Sequence, residues 1–137
     1  MKRRQLLQLG AVASTGLAFP AIAQSRKIVL GKSAPFSGPA SSLGTQFKEG
    51  AELVFNQVNA RGGVNGRTIE LRSVDDGYEP QRCAENTQKL LAADVFSLFG
   101  YVGTPTSLAA LPLAAAARTP FFAPFSGAEA LRAPFNR

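Results

Sequence analysis

The side chains best placed to do chemistry in this sequence are short hydroxyls standing at the start of predicted helices. Thr104 comes just before Pro105, and Ser126 just before Gly127-Ala128-Glu129, each where an apolar run gives way to a helical pattern. The first N–H groups of a helix have no intrahelical acceptor, and they lie at the positive end of its dipole. A loop carrying Thr104 or Ser126 could therefore hold a carboxylate without an arginine. Both residues equally suit plain helix caps, and the Ser126 to Glu129 spacing fits a capping box.

The other chemistries lack parts. The chain has no histidine, which removes Ser–His and Cys–His nucleophilic pairs and the commonest metal ligand. Asp75-Asp76 is the one adjacent carboxylate pair, and neighbours at the end of a strand point apart, so no metal or acid–base site is expected there. The glycines at 62, 63 and 66 follow a helical pattern and precede a strand, the reverse of the order a phosphate loop needs. Gly100-Tyr101-Val102-Gly103 has the right position but not the pattern. Cys83 is the single cysteine, so no internal disulfide forms, and its helical spacing reads as a small core residue. The inventory points to binding without catalysis, cofactor or metal.

These loops need a scaffold, and hydrophobic period supplies its outline. Ile28-Val29-Leu30 reads as a buried strand over 27–30, followed by a loop with Pro35, Gly38 and Pro39. Phe47, Ala51, Val54, Phe55 and Val58 then recur at helical spacing, predicting a helix from about Thr45 to Asn59, capped by Thr45 or Ser42. Alternation from Arg67 to Val74 predicts a second strand. Pro80 opens a helix reaching about Ala92, with Cys83, Thr87, Leu90 and Leu91 inward. A third strand spans 95–100, an alanine-rich helix runs from Thr104 to Ala117, a fourth strand covers 121–123, and a fourth helix begins at Ser126. Strictly alternating β and α elements imply an α/β fold, a three-layer αβα open parallel sheet. Ligand sites in such sheets lie beyond the carboxyl ends of the strands, here the loops 36–43, 100–106 and 125–127.

At 137 residues, with 45% hydrophobic and 18% charged, the chain has room for one small domain. Met1-Lys2-Arg3-Arg4 is basic, Leu6 to Pro20 carries no charge, and Ala21-Ile22-Ala23 offers a small-x-small cleavage pattern. Residues 1–23 are therefore expected to be a cleaved export signal, with the arginine pair resembling a twin-arginine signal and the Sec route equally open. Without them, twelve basic and nine acidic residues leave +3 instead of +6, spread singly along the chain. No stripe suits a phosphate backbone, so nucleic acid is not an expected partner.

Read together, Ser37-Gly38-Pro39 with Gly44 and Gly50, the run Val58 to Arg67, Asp75-Asp76 with Pro80, Phe99-Gly100 with hydroxyls at Thr104, Thr106 and Ser107, and Pro120 to Pro124 form an ordered set. That set resembles the leucine/isoleucine/valine-binding protein family, the type I periplasmic solute receptors of ABC importers. The resemblance implies two lobes closing on a small solute, delivery to an inner-membrane ABC permease, and a periplasmic location. Residues 24–137 would be part of the first lobe, expected to bind weakly by itself. Thr104 would grip a carboxylate through its hydroxyl and amide, with Thr106 and Ser126 beside it and backbone contacts from Phe125 and Gly127. Leu43 and Tyr101 would line the pocket for the solute's side chain.

Two departures qualify this. Gly127 stands where amino-acid binders of the family have a threonine that helps hold the ammonium, so an aromatic acid or other small carboxylate competes with a branched-chain amino acid. The family's disulfide is missing: Tyr78 stands near one of its cysteine positions, and Cys83 matches neither. A sensory module of the same fold and an exported α/β enzyme stay open as alternatives.

Overall fold

A computed structural model describes residues 27–132; the export signal expected over 1–23 lies outside them. Four strands, β1 (Ile28–Ala34), β2 (Ile69–Asp75), β3 (Ser97–Phe99) and β4 (Phe121–Phe122), alternate with helices α1 (Ser41–Ala60), α2 (Pro80–Ala92) and α3 (Thr104–Ala116). The sheet is parallel throughout in the order β2-β1-β3-β4. Side chains alternate across it. Leu98 joins Leu90, Ala110 and Ala114 in the core beneath α2 and α3, while its neighbour Phe99 turns to the α1 side, 5.5 Å from Phe55 and 6.0 Å from Phe47. The expected three layers follow, and among the described residues no helix is long and apolar enough to cross a membrane.

β2 and β3 shift by one or two residues at their ends, and three larger differences from the sequence reading each have a local reason. β1 runs on to Ala34 because Gly31, Lys32 and Ser33 are buried despite their polarity or size. Gly31 lets Leu90 of α2 pack against the strand, Lys32 donates to the Gly100 carbonyl, and Ser33 donates to Asp76 at 2.8 Å. α1 begins at Ser41, with Ala40 at the cap position, and neither Ser42 nor Thr45 caps it. A backbone turn from Gly38 to Leu43 leads into the helix instead. Val54, expected inward, is exposed. The fourth helix is reduced to a 3₁₀ turn at Glu129–Leu131 among the described residues, where the Ser126 hydroxyl accepts from the Ala128 N–H at 3.2 Å.

Two polar ties hold the layers in register. The Asn59 side chain pairs with both backbone groups of Ile69 at 2.8 Å, as a neighbouring strand would, and so fastens the end of α1 to the start of β2. At the other end of the sheet the Asp75 carboxylate accepts from the N–H groups of Phe36 (2.7 Å), Ser37 (3.2 Å) and Gly77 (3.0 Å) and from the Ser37 hydroxyl (2.6 Å). Arg82 adds an ion pair at 3.2 Å. Asp76 faces away from Asp75, accepting from Ser33 and the Tyr78 N–H, so the carboxylates serve separate networks.

Desolvation would raise the Asp75 pKa, but the Ser37, Phe36 and Gly77 hydrogen bonds and the Arg82 charge outweigh it and hold the carboxyl well below the usual range. Its stabilising contribution is therefore present above the ordinary carboxylate pKa of about 4 and is lost as pH falls below it. Asp75→Asn is expected to cost about 1 kcal/mol at pH 7, discounted for partial exposure, and to flatten the acid-side loss of stability. Urea unfolding at pH 7 and pH 3.5 checks this, and an unchanged slope would contradict it. Cys83 has the opposite sign: burial pushes its thiol up to about 12, so its contribution is present below the ordinary thiol pKa, about 8.5, and declines as pH rises from there toward 12. Cys83→Ala is expected to lose about 1 kcal/mol at pH 7. Its deficit against the parent should shrink by pH 10.5, and a deficit that stays constant would exclude this account.

Candidate solute-binding site

The loops following β3 and β4 stay paired beyond the strands themselves. The Phe125 N–H donates to the Tyr101 carbonyl at 2.7 Å, the Gly103 N–H donates to the Phe125 carbonyl at 3.1 Å, and Val102 bridges Phe125 in parallel. Gly103 holds φ at +100°, and a side chain there would collide with the Tyr78 ring. Tyr78 thus reaches across from the β2 loop to lie against the turn that starts α3.

This pairing brings the Thr104 and Ser126 hydroxyls to 2.7 Å from each other at the first turn of α3. Both residues are partly buried. Thr104 is not the helix cap, which is Gly103, so its hydroxyl points across the loops and not back at its own helix. One of the two O–H groups is used in their mutual bond, and Ser126 also accepts from the Ala128 N–H. The other O–H is left to donate elsewhere, beside the Thr104 and Thr106 amides of the first turn of α3; Pro105 has no N–H, and the Ser107 N–H is used on the Gly103 carbonyl. A small anion is the natural complement of that array.

Of the other expected residues, Phe125 is 53% exposed and sets its ring 5.8 Å from Phe47. Leu43 is 45% exposed on α1, one turn ahead of Phe47, and Gly127 is exposed next to Ser126. Tyr101 and Thr106 require correction. The Tyr101 side chain is fully buried, its hydroxyl 2.9 Å from that of Thr87 and its ring edge-on to Phe121 at 5.0 Å. Desolvation drives its pKa upward. Thr106 is also fully buried and donates to the Val102 (2.6 Å) and Gly103 (3.1 Å) carbonyls. Both side chains support the loop from beneath: Tyr101 follows the alternation of β3 to the α2 side of the sheet, and Thr106 lies on the inward face of the first turn of α3.

The sequence reading missed Phe47 as a wall beside Phe125, and it missed Lys32. The Lys32 side chain is buried, its ammonium donates to the Gly100 carbonyl, and its nitrogen lies 4.1 Å from the Phe47 ring centroid. Desolvation lowers its pKa to about 8, against the attraction of Asp76. The one signal available was a lysine interrupting the apolar run of a strand.

Two grooves lie away from these loops. One, of about 450 Å³, runs from Leu111 to Leu131 past the end of α3, and one of about 310 Å³ lies among Leu30, Phe55, Phe96, Phe99 and Phe122 on the α1 side. Neither contains an expected site residue.

The sequence profile of the periplasmic binding protein family matches residues 27–136. Among characterised relatives, the Leu/Ile/Val-binding protein BraC3 of Rhizobium johnstonii is 32% identical over 108 residues, which are 79% of this chain and 28% of that protein. Among solved structures, a possible leucine/isoleucine/valine-binding protein from Rhodopirellula baltica superposes with a TM-score of 0.76 at 39% identity, covering 79% of this chain and 30% of that one. The branched-chain amino acid transporter substrate binding protein LivJ of Streptococcus pneumoniae, solved with isoleucine, gives 0.62 at 29% identity, covering 69% of this chain and 28% of that one. The chain thus spans under a third of the length of the proteins it matches. With the motifs, the parallel sheet order and the profile match in agreement, the chain belongs to the periplasmic binding protein family.

Proposed function

We propose that this chain is part of the first lobe of an exported solute receptor that captures a branched-chain amino acid or a related small carboxylate for an inner-membrane ABC permease. Residues 1–23 act as its cleaved signal and residues 24–137 contribute to the lobe, which works in the periplasm. The observation that carries this reading is the 2.7 Å approach of Thr104 and Ser126 at the first turn of α3, beyond the carboxyl ends of β3 and β4. In this reading the solute's carboxylate accepts from the free hydroxyl and the neighbouring amides, while Phe125, Gly127 and Leu43 meet the rest of the molecule. The isoleucine bound to the Streptococcus pneumoniae relative supports the amino-acid class. Gly127, which has no side chain to hold an ammonium, keeps aromatic acids in competition.

In this reading the hydroxyl pair has no catalytic role. A hydroxyl needs a neighbouring base to become a nucleophile, and Thr104 and Ser126 have only each other and a backbone amide. The role is capture, in which the second lobe supplies the remaining contacts and excludes water, strengthening each hydrogen bond.

Differential scanning fluorimetry of the full-length mature protein against amino acids, aromatic acids and small amides tests the reading. A solute that binds only the folded state raises the melting temperature. A shift confined to carboxylates is expected, and no shift from any member of the panel would overturn the receptor reading. For the solute that binds, Thr104→Ala and Ser126→Ala are each expected to weaken calorimetric affinity about tenfold. The double variant should lose less than the product of the single losses, because the two hydroxyls act as one unit. Fully multiplicative losses would show that they act separately.

A further inference from the structure

Lys32 is a buried cation that the receptor reading does not use. It lies on β1, in the interior of the sheet, where its side chain crosses the α1 face toward β3. Its ammonium donates to the carbonyl of Gly100, the residue that leaves β3 for the loop leading to Thr104. The face of Phe47 covers the same ammonium at 4.1 Å, and Phe47 in turn touches Phe125, in the β4 loop, and Phe99. Gly100 itself has φ of +65°, and a side chain there would run into the Phe47 ring. One cation therefore touches the start of the loop that carries Thr104 directly, and reaches the loop that carries Ser126 through the Phe47 ring.

The site above it is suited to a carboxylate, and a cation buried in low-dielectric surroundings is felt at longer range than one in water. We propose that Lys32 is a positioning and selectivity residue of the solute site, whose positive charge holds the Gly100 loop and the Phe47–Phe125 wall in place and favours an anionic solute over its neutral analogue. The inference rests on the receptor reading and goes beyond it, by assigning the charge preference to a residue that never touches the solute.

A titration separates this role from simple packing. The folded-state pKa is about 8, so the ammonium is largely present at pH 7 and largely lost by pH 9. The charged group facing it is Asp76, beyond β2, which attracts it. Lys48, next to Phe47 on α1, sits instead over the Phe36 ring at 5.9 Å. The chain has no histidine to titrate below this range, and burial keeps the thiol of Cys83 and the phenol of Tyr101 protonated through it. The terminal amine does titrate there, and a variant controls for it.

The test is calorimetry on the full-length mature protein at pH 7 and pH 9. Isoleucine, a zwitterion, checks the receptor reading, and benzoate, a net anion, is the starting probe of the charge preference, followed by the other carboxylates of the fluorimetric panel that carry no amine, with benzamide as the neutral counterpart of benzoate. Affinity of the parent protein for the bound carboxylate is expected to fall about fivefold between the two pH values. Lys32→Gln keeps a donor for the Gly100 carbonyl and lacks the charge. It should bind about fivefold more weakly at pH 7, with a flat profile that meets the parent's at pH 9, while benzamide binding, where measurable, is indifferent to both pH and variant. If Lys32→Gln does not fold by circular dichroism, the parent's own pH profile decides, and a flat one overturns the proposal. A Lys32→Gln protein that matches the parent at both pH values overturns it as well. Absence of carboxylate binding by the parent at any pH is a different failure, which removes the receptor reading and this inference together.

Discussion

A polar group taken out of water must find a partner, and at the carboxyl ends of β1 and β2 that requirement shapes everything above the sheet. Ser33 is buried and bonds Asp76, Asn86 reaches both Ser33 and the Asp75 carbonyl, and Lys32 finds the Gly100 carbonyl. Each partner belongs to a different element. Satisfying them fixes the β1 loop to the β2 loop through Asp75 and the β1 strand to the β3 loop through Lys32. The loops that bear the candidate site are therefore positioned by polar ties, whereas apolar packing fixes the layers beneath them.

That division matches the asymmetry of the two faces. Beneath α2 and α3 the sheet has a closed core in which Leu98, Tyr101, Ala110 and Ala114 are almost fully buried. The α1 face is thinner and aromatic. Phe47, Phe55 and Phe99 pack at tilted angles, while Phe96, Phe122 and Phe125 are each more than half exposed. Under the proposed function, the closed core would support the loops from behind and the exposed aromatic rings would meet the solute. Thr106 and Tyr101 belong to the closed side. Their hydroxyls are spent on Val102, Gly103 and Thr87, which holds the α3 start in place and leaves Thr104 to pair with Ser126.

Much of this was legible from residue order. The glycine cluster after α1, Pro80 at the first turn of α2, and Thr104-Pro105 at α3 are punctuation that acts over three or four residues, so those elements fell where period and turn chemistry put them. The loop location of Thr104, Phe125 and Ser126 followed from strand order alone. The polar half of β1 was invisible, because Lys32 and Ser33 look like solvent-facing residues until Gly100 and Asp76 are brought beside them. The fourth helix failed for a related reason: the Ser126 hydroxyl, read as a cap, is shared with Thr104, and the turn that follows is 3₁₀.

By itself, then, the sequence determined the alternation of strands and helices, the parallel sheet, the absence of histidine chemistry, and the three loops where a solute could be met. Those are properties of local spacing and composition, which act before any distant residues touch. Tertiary structure alone decided that the Tyr101 and Thr106 hydroxyls are used on partners beneath the loop, that Thr104 and Ser126 pair with each other, and that a lysine lies buried against Gly100 and Phe47. Most of those depend on a partner far along the chain: 68 separate Lys32 from Gly100, 22 separate Thr104 from Ser126, and 14 separate Tyr101 from Thr87. A buried polar side chain is specified by the partner it meets, and chain folding is what delivers that partner.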